Sequence, residues 1–311
     1  MKRRRFLSNA VGLGVGAGLG GQLFNQVQGA EPPVRPGHPI FHVGLAAYSF
    51  RNYFKDMTHE RQGAIAESKR IDMFDFIDYC AEQGVGAEVT SYYFPPKVTK
   101  EWVLRLKRHA YLRAVDLSGT SVGNQLTLPP GQEREEQLEY VKRWIRHAGA
   151  MGIGHLRVFA GAKGRLSHNE AKALCIEGLQ ACCDYAADYG VILGIENHGG
   201  IVAEADELLD IIKAINSPWV GINLDSANFH TDDPYADFAK CAPYAVNVQL
   251  KTEIRPRNGK REEADMTRFV GSLIESNYQG YIVLEYEAAE DPYLAVPKAL
   301  KELRRTIDRT S

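Results

Sequence analysis

Alternation between short apolar segments and longer amphipathic segments is the feature that most constrains the fold of this chain. Eight apolar segments have the length of strands buried on both faces, which is typical of parallel sheets. They cover residues 43–49, 85–90, 112–118, 155–159, 191–196, 220–225, 245–250 and 281–285. Helical patterns cover residues 72–83, 100–109, 133–150, 169–189, 204–216, 234–241, 265–277 and 292–307. Eight successive strand–helix units predict a closed (β/α)8 TIM barrel.

Residues that begin and end helices support these boundaries. Ser167 is a good N-cap, and Gly84, Gly190 and Gly280 follow predicted helices, where glycine is common. The same alternation occurs in doubly wound open sheets, but no Gly-x-Gly-x-x-Gly motif follows an early strand, as a dinucleotide-binding fold would require. No long linker divides the later part of the chain, so we predict one α/β barrel domain over residues 31–311.

The first 30 residues have the composition of an export signal. Basic residues at positions 2–5 precede an apolar, glycine-rich stretch over residues 10–21 and then small residues. This order is typical of a signal peptide, and the Arg3-Arg4 pair resembles the twin-arginine motif. We therefore predict a periplasmic or otherwise exported protein that uses the twin-arginine export machinery. A general secretory signal and an uncleaved membrane anchor are the alternatives, although the apolar stretch is short for a membrane span.

Charge and cysteine content narrow the classes of function. The chain has 37 Lys and Arg residues against 39 Asp and Glu residues. Removal of the first 30 residues would leave 33 basic and 39 acidic residues, a formal charge of −6. An acidic protein lacks the basic surface that binds nucleic acid, so we expect no nucleic-acid partner. The five cysteines have no Cys-x-x-Cys spacing, which indicates buried small side chains and neither a zinc site nor a disulfide framework.

Oxygen-bearing side chains stand at the ends of four consecutive predicted strands. Glu196, Asp225 and Glu285 end the fifth, sixth and eighth strands, and Gln249 lies near the end of the seventh. The carboxyl ends of the strands meet at the face of a TIM barrel where active sites lie. Such oxygens suit Mn²⁺ or Mg²⁺, so we predict that these four residues bind one divalent metal.

Several motifs resemble those of the xylose-isomerase-like sugar isomerases and epimerases, the group that includes tagatose 3-epimerase and hydroxypyruvate isomerase. They are Gly84-Val-Gly-Ala-Glu88-Val, Leu193-Gly-Ile-Glu196-Asn197-His198, Asn223-Leu-Asp225-Ser-Ala-Asn228, Gln249-Leu-Lys251 and Leu284-Glu285-Tyr286. The resemblance extends over nearly the whole chain after the export signal. It implies that Glu196, Asp225 and Glu285 bind the metal and that the two glutamates exchange protons with the substrate. It also implies that Arg255, six positions past the family's metal-binding histidine, contacts the substrate.

Two positions depart from the family pattern. Gln249 stands where the family has its metal-binding histidine. Asn228 stands where a histidine often follows the metal-binding aspartate by three residues, and we expect it to contact the substrate. An amide oxygen can coordinate a hard cation but is a poorer donor than imidazole, so we expect weaker metal binding and less preference for zinc.

Two further residues close to these strand ends have two interpretations each. His198 is predicted to contact the substrate or to support a carboxylate ligand, and a purely structural hydrogen bond is the alternative. Lys251 is predicted to bring positive charge to a developing enediolate, and an ion pair in the barrel mouth is the alternative.

Together these residues predict a divalent-metal-dependent sugar isomerase or epimerase acting on a small sugar or glycoside. Its first step would remove a proton next to a carbonyl group and form an enediolate, with Glu196 and Glu285 as base and acid. A lyase that eliminates from a 3-oxo-glycoside and a non-catalytic sugar-binding barrel are the alternatives. The sugar and the oligomeric state stay open at this point, a homo-oligomer included.

Replacement of Arg3 and Arg4 by Lys tests the export signal. The double variant should accumulate in the cytoplasm, because the arginine pair is the feature that the twin-arginine pathway reads. The measurement is the ratio of protein in the periplasmic and cytoplasmic fractions. Lys2→Arg leaves the pair intact and is the control. Unchanged periplasmic yield of the double variant would leave general secretion as the route.

Overall fold

The computed structural model describes residues 30–59, 65–257 and 259–310. All of the predicted export signal except Ala30 lies outside these ranges, so the signal and its twin-arginine motif stay predictions. Ala30 itself is buried and packs with the hydrophobic core. None of the helices within these ranges combines the length and the apolar character that a membrane span requires.

Eight parallel strands in the described part of the chain close into a barrel. They are β1 Ile40–Ala46, β2 Gly86–Thr90, β3 Leu117–Ser121, β4 His155–Val158, β5 Ile192–Glu196, β6 Val220–Asp225, β7 Ala245–Leu250 and β8 Gln279–Leu284. Each strand pairs with its neighbours in chain order, and β8 pairs with β1 to close the barrel. The predicted fold class, a single (β/α)8 TIM barrel, is confirmed.

Eight α-helices within the same ranges follow the strands and cover the barrel. They are α1 Met73–Gln83, α2 Lys100–Leu112, α3 Gln132–Met151, α4 His168–Ala187, α5 Ala205–Ala214, α6 Pro234–Cys241, α7 Met266–Glu275 and α8 Pro292–Thr310. Their apolar residues recur at helical spacing, as Val103, Leu106 and Ala110 do in α2, and these residues are buried. A short hairpin that pairs Glu253–Ile254 with Glu262–Glu263 follows β7 and was not predicted.

Side-chain caps and left-handed turns determine where several helices begin and end. The hydroxyl oxygen of Ser167 accepts a hydrogen bond from the Glu170 backbone N–H, and the Glu170 carboxylate accepts one from the Ser167 backbone N–H. This reciprocal capping box begins α4 at the predicted position. Gly84 ends α1 with φ of 62°. Gly280, by contrast, lies within β8, and Asn277 with φ of 53° makes the turn after α7.

The third strand starts five residues later than predicted. Helix α2 continues to Leu112, and the chain then turns through Ala114, whose φ of 54° lies in the left-handed region. β3 begins only at Leu117. Its residues Gly119 and Ser121 have low intrinsic strand propensity. Pairing with β2 and β4 therefore determines this strand, and such long-range pairing is not visible in a local pattern.

Two glycines on strands that flank β4 make room for a large polar side chain inside the barrel. A Cβ on Gly194 of β5 would lie 2.4 Å from Nε2 of His155. A Cβ on Gly119 of β3 would lie 3.0 Å from Nδ1 of the same ring. The imidazole of His155 therefore fills the space that these two glycines leave.

Gly194→Ala should destabilise the barrel. The added methyl group would lie against the His155 ring and 3.1 Å from the backbone nitrogen of Asn223, and overpacking of this kind typically costs about 1–3 kcal/mol. Gly154→Ala is the control, because no atom of the described part of the chain lies within 4 Å of a Cβ at that position. Urea unfolding measures both free energies of unfolding, and equal effects of the two variants would contradict the prediction.

Candidate active site

Four predicted metal ligands and Lys251 meet at the carboxyl end of the barrel. Glu196 and Asp225 are the last residues of β5 and β6, and Glu285 directly follows β8. Gln249 is the penultimate residue of β7, and Lys251 is the first residue after it. All five are buried, with at most 7% of any residue exposed. Because parallel strands end at the same face, the alternation of the sequence places them together.

The ammonium group of Lys251 lies at the centre of this cluster. Its Nζ is 3.0 Å from Oδ2 of Asp225, 3.3 Å from Oε2 of Glu285 and 3.3 Å from Oε1 of Glu287. It also donates a hydrogen bond of 3.2 Å to Oδ1 of Asn228. The Asp225 contact is an ion pair by distance, since Oδ2 makes no hydrogen bond of good geometry with any residue that the structure describes. Lys251 thus forms the ion pair in the barrel mouth that was one of its two predicted roles.

Three donors surround the carboxylate of Glu196. Nε of Arg157 lies 2.9 Å from Oε2 as an ion pair without hydrogen-bond angles. Nδ1 of His198 lies 2.8 Å from Oε1, and Asn228 donates to the same oxygen at 2.8 Å. Burial alone would raise the pKa of Glu196, but Arg157 and His198 lower it to about 2. Glu196 is therefore ionised at neutral pH and held in one orientation.

A second layer of polar side chains inside the barrel orients the amide of Gln249. Its Oε1 accepts a hydrogen bond of 2.7 Å from Asn223, and its Nε2 donates to Oε1 of Glu88 at 2.8 Å and to Oε1 of Glu285 at 3.4 Å. Asn247 donates to both Glu88 and Asn223. The opposite amide orientation would turn the Gln249 oxygen toward two carboxylates, so the hydrogen bonds select this one. Gln249 thus presents N–H groups, and not a lone pair, to Glu285.

Burial and charge crowding control protonation in the cluster. Burial raises the pKa of Glu285 well above its ordinary value, and the charges of Glu287 and Asp225 add to this against the effect of Lys251. Burial opposes the charge on Lys251, but the carboxylates of Asp225, Glu285 and Glu287 raise its pKa well above its ordinary value. Burial also raises the pKa of Glu88 to about 7. Lys251 therefore stays an ammonium ion, while burial favours the protonated forms of Glu285, Glu88 and Asp225.

The donor set does not fit the predicted Mn²⁺ or Mg²⁺. No group of three or more His, Cys, Asp or Glu side chains in residues 30–59, 65–257 and 259–310 is arranged to hold a metal ion. Glu196 is surrounded by donors, Gln249 offers N–H groups, and Asp225 and Glu285 share the ammonium of Lys251. A hard cation needs free oxygen lone pairs. It would also be repelled by the ammonium, at about 4 kcal/mol for two unit charges 4 Å apart near a protein surface.

A cleft of about 210 Å³ opens next to Lys251 at the barrel mouth. Asn228, Lys251 and Arg255, three of the predicted substrate contacts, line it together with Glu287. Arg255 is exposed. His198, the fourth predicted substrate contact, reaches the cleft lining through Asn228, whose Nδ2 lies 3.2 Å from its Nδ1. The cleft is smaller than sites for drug-sized ligands, which measure about 300–1,000 Å³.

Three residues of this site were missing from the sequence-based prediction. Arg157 interrupts the apolar strand β4, and its guanidinium lies 4.0 Å from the ring centre of Phe159. A charged residue in the middle of a buried strand is the sequence feature that could have identified Arg157. Glu88 lies within the motif Gly84-Val-Gly-Ala-Glu88-Val, but the sequence-based prediction gave it no role in the site. Glu287 follows Glu285 by two residues, a spacing that returns an extended chain to the same face.

Comparison with known proteins gives a family and a set of similar folds. The model of a family described as "Xylose isomerase-like TIM barrel" matches residues 69–307. No curated protein matches the chain in sequence. Among solved structures, D-psicose 3-epimerase with D-tagatose from Clostridium cellulolyticum H10 is similar with a TM-score of 0.64 at 14% identity, covering 86% of this chain and 98% of that one.

Two other solved structures are similar to the same extent. The 3-keto-D-glucoside 4-epimerase from E. coli, in its apo form, has a TM-score of 0.63 at 16% identity and covers 85% of this chain and 99% of its own. A xylose isomerase-like TIM barrel protein from Mycobacterium smegmatis in complex with magnesium has a TM-score of 0.66 at 15% identity, covering 87% of this chain and 98% of its own. At these identities the likeness establishes the fold.

His155 is a buried titratable group beneath the site. It lies two residues before Arg157 on β4 and is 6% exposed. Neither ring nitrogen has a hydrogen-bond partner among the described residues. Burial, with a smaller contribution from Arg157, lowers the pKa of His155 to about 3.

His155→Leu should make the protein less sensitive to acid. The pKa of about 3 in the folded state lies below that of an unfolded histidine, about 6.5, so the unfolded state binds one more proton between these values. Stability is therefore lost as the pH falls below about 6.5, and at pH 5 this histidine accounts for a loss of about 2 kcal/mol.

Urea unfolding at neutral pH and at about pH 5 gives the free energies of unfolding for this comparison. The decrease between the two pH values should be smaller for His155→Leu than for the wild type. His38→Asn, at an exposed position, should decrease as the wild type does. The same decrease in all three proteins would show that His155 does not contribute.

Proposed function

Because this chain belongs to the xylose isomerase-like TIM barrel family, we propose that it is a sugar epimerase or isomerase that moves a proton at a carbon next to a carbonyl group. The observation that carries the proposal is the buried pair Glu196 and Glu285, joined through Asn228 and Lys251 at the barrel mouth. Each of the two carboxyl groups contacts a residue that lines the cleft, Asn228 or Lys251, and a pair of carboxyl groups can remove and return a proton. Two of the similar structures are sugar epimerases, which supports this reaction class.

The substrate would enter the cleft that Asn228, Lys251 and Arg255 line. The Lys251 ammonium would donate a hydrogen bond to the carbonyl oxygen and stabilise the negative charge that develops there as the proton leaves. One glutamate would take the proton, which gives an enediolate, and the other would return it. Return to the opposite face of the same carbon inverts that centre. Return to the neighbouring carbon moves the carbonyl group instead.

Location and substrate class belong to the same proposal. Residues 1–30 support export through the twin-arginine pathway to the periplasm. Phosphorylated sugars are mainly intracellular, so the substrate there is a free sugar or a glycoside. The size of the cleft, about 210 Å³, supports a substrate that places a single sugar ring in the site.

A lyase acting on a 3-oxo-glycoside is the second candidate, because the same enolate could expel a group from the β carbon. The similarity in fold to a 3-keto-D-glucoside 4-epimerase supports a substrate of this class. The products distinguish the two reactions: an epimerase returns an intact glycoside, whereas a lyase releases the glycosidic alcohol and leaves an unsaturated sugar.

Glu196→Gln and Glu285→Gln test the proton transfer. Each variant keeps the shape of the side chain and an amide oxygen but loses the group that carries the proton. In deuterated buffer the wild type should label the carbon next to the carbonyl of D-psicose, D-tagatose, L-ribulose or a 3-oxo-glucoside. Each variant should label it more than about 10²-fold more slowly. Proton NMR of the recovered sugar measures the rate.

Matched variants make this experiment specific. Glu290→Gln, at an exposed residue paired with Lys298, should label at the wild-type rate. Glu287→Gln tests whether Glu287, and not Glu285, carries the proton, because Glu287 lines the cleft. Loss of labelling in that variant, together with full labelling by Glu285→Gln, would move the role to Glu287. Binding without labelling by the wild type on every sugar of the panel would replace the proposal by a sugar-binding barrel.

A further inference from the structure

We propose that the Lys251 ammonium takes the place of a divalent metal in this barrel and that the site works without a bound metal ion. The part that concerns the reaction rests on the proposed function, whereas the part that concerns the cation rests on geometry alone. Asp225 and Glu285, two of the predicted metal ligands, share Lys251 as their cation at 3.0 and 3.3 Å.

Four oxygens surround the ammonium group of Lys251. Oxygens of Asp225, Glu285, Glu287 and Asn228 all lie within 3.3 Å of Nζ. An ammonium group has three N–H donors, so these four oxygens hold it in place, and a substrate oxygen would take the position of one of them. The Lys251 side chain is only 9% exposed, and its movement into water would leave these carboxylates without their cation. A second cation would have to compete for the same oxygens.

The other two predicted ligands, Gln249 and Glu196, already contact other side chains. A metal contact from Gln249 would require its oxygen to leave Asn223 and its N–H groups to leave Glu88. A metal contact from Glu196 would be made at Oε2 beside the charge of Arg157, or at Oε1 in place of one of its two donors. Metal binding at Gln249 would therefore break existing hydrogen bonds, and at Glu196 it would meet a positive charge or displace a donor.

Two amides, Asn228 and Gln249, stand at the positions where the resemblance implies histidines. Asn228 accepts a hydrogen bond from Lys251 through Oδ1 and donates one to Glu196 through Nδ2. Gln249 donates to Glu88 and Glu285 in the same manner. Each amide thus connects the lysine cluster to a neighbouring carboxylate. The two amides that would weaken a metal site, Asn228 and Gln249, therefore belong to the hydrogen-bond network around Lys251.

Lys251 also limits what the substrate contact can be. Its ammonium supplies one positive charge and N–H donors, so it can hold a carbonyl oxygen through a hydrogen bond as that oxygen becomes negative. It has no open coordination positions and cannot chelate two neighbouring oxygens of a sugar. Turnover should then be independent of added divalent metal and of chelators.

Manganese titration of the purified wild-type protein tests the proposal directly. After dialysis against EDTA, calorimetry and Mn²⁺ paramagnetic resonance should show no site tighter than a Kd of about 1 mM. The melting temperature should be the same in EDTA and in Mn²⁺. The rate of deuterium labelling should change by less than about twofold between these conditions.

Variants at Lys251 and Gln249 test the same idea by restoring a metal site. Lys251→Met combined with Gln249→His removes the ammonium and supplies an imidazole, so Mn²⁺ should bind about 100-fold tighter than to the wild type. Lys251→Arg keeps a cation and should gain no Mn²⁺ binding. Lys298→Met, which removes an exposed lysine paired with Glu290, is the control and should behave as the wild type does.

Different results of these experiments would overturn the role of Lys251 and the proposed function. Stoichiometric Mn²⁺ binding by the wild type in the micromolar range, or labelling that EDTA abolishes and Mn²⁺ restores, would overturn the role of Lys251. So would a folded double variant that gains no Mn²⁺ affinity. If the double variant does not fold, the wild-type titration decides alone. Wild-type protein that labels no sugar with or without Mn²⁺ would overturn the proposed function, while the titration would still decide which cation the site holds.

Discussion

The structure of the site depends on one buried cation, the ammonium of Lys251. It lies between carboxylates at the ends of β6 and β8, and it holds Asn228, which in turn positions Glu196 at the end of β5. Charges buried to this degree are tolerated only when they are paired, and removal of one partner typically costs about 3–5 kcal/mol. Loss of Lys251 would therefore leave unpaired carboxylates and disconnect the two glutamates that the proposed reaction uses.

A polar barrel interior is what makes this arrangement possible. Below the ion-pair cluster, the side chains of Glu88, Asn223, Asn247 and Gln249 satisfy one another through hydrogen bonds. A buried network whose members are all satisfied is rigid, whereas a partly satisfied one is costly. The network therefore does more than fill the barrel: it selects the orientation of the Gln249 amide, and with it the kind of group that faces Glu285.

The fold and the positions of the acids could be predicted from sequence because both follow from local patterns. Strand-like runs ending in Glu196 and Asp225 are visible in the chain, and the geometry of parallel strands brings their ends together. The start of β3 and the orientation of Gln249 could not be predicted. β3 depends on pairing with neighbouring strands, and the Gln249 amide depends on Glu88, which lies 161 residues away along the chain. The same holds for the partners of Lys251, which come from the ends of two other strands, β6 and β8.

The barrel provides acids at fixed positions, but it does not determine which cation neutralises them. One structure of similar fold is a complex with magnesium, and in this chain a lysine side chain lies among the strand-end acids. A metal and a lysine differ in when they make such a site complete. A metal must be acquired after or during folding, and its binding contributes to stability only when the ion is present. A lysine is supplied by the chain itself, so the charge balance of the site is established as soon as β6, β7 and β8 pair, in whichever compartment folding takes place.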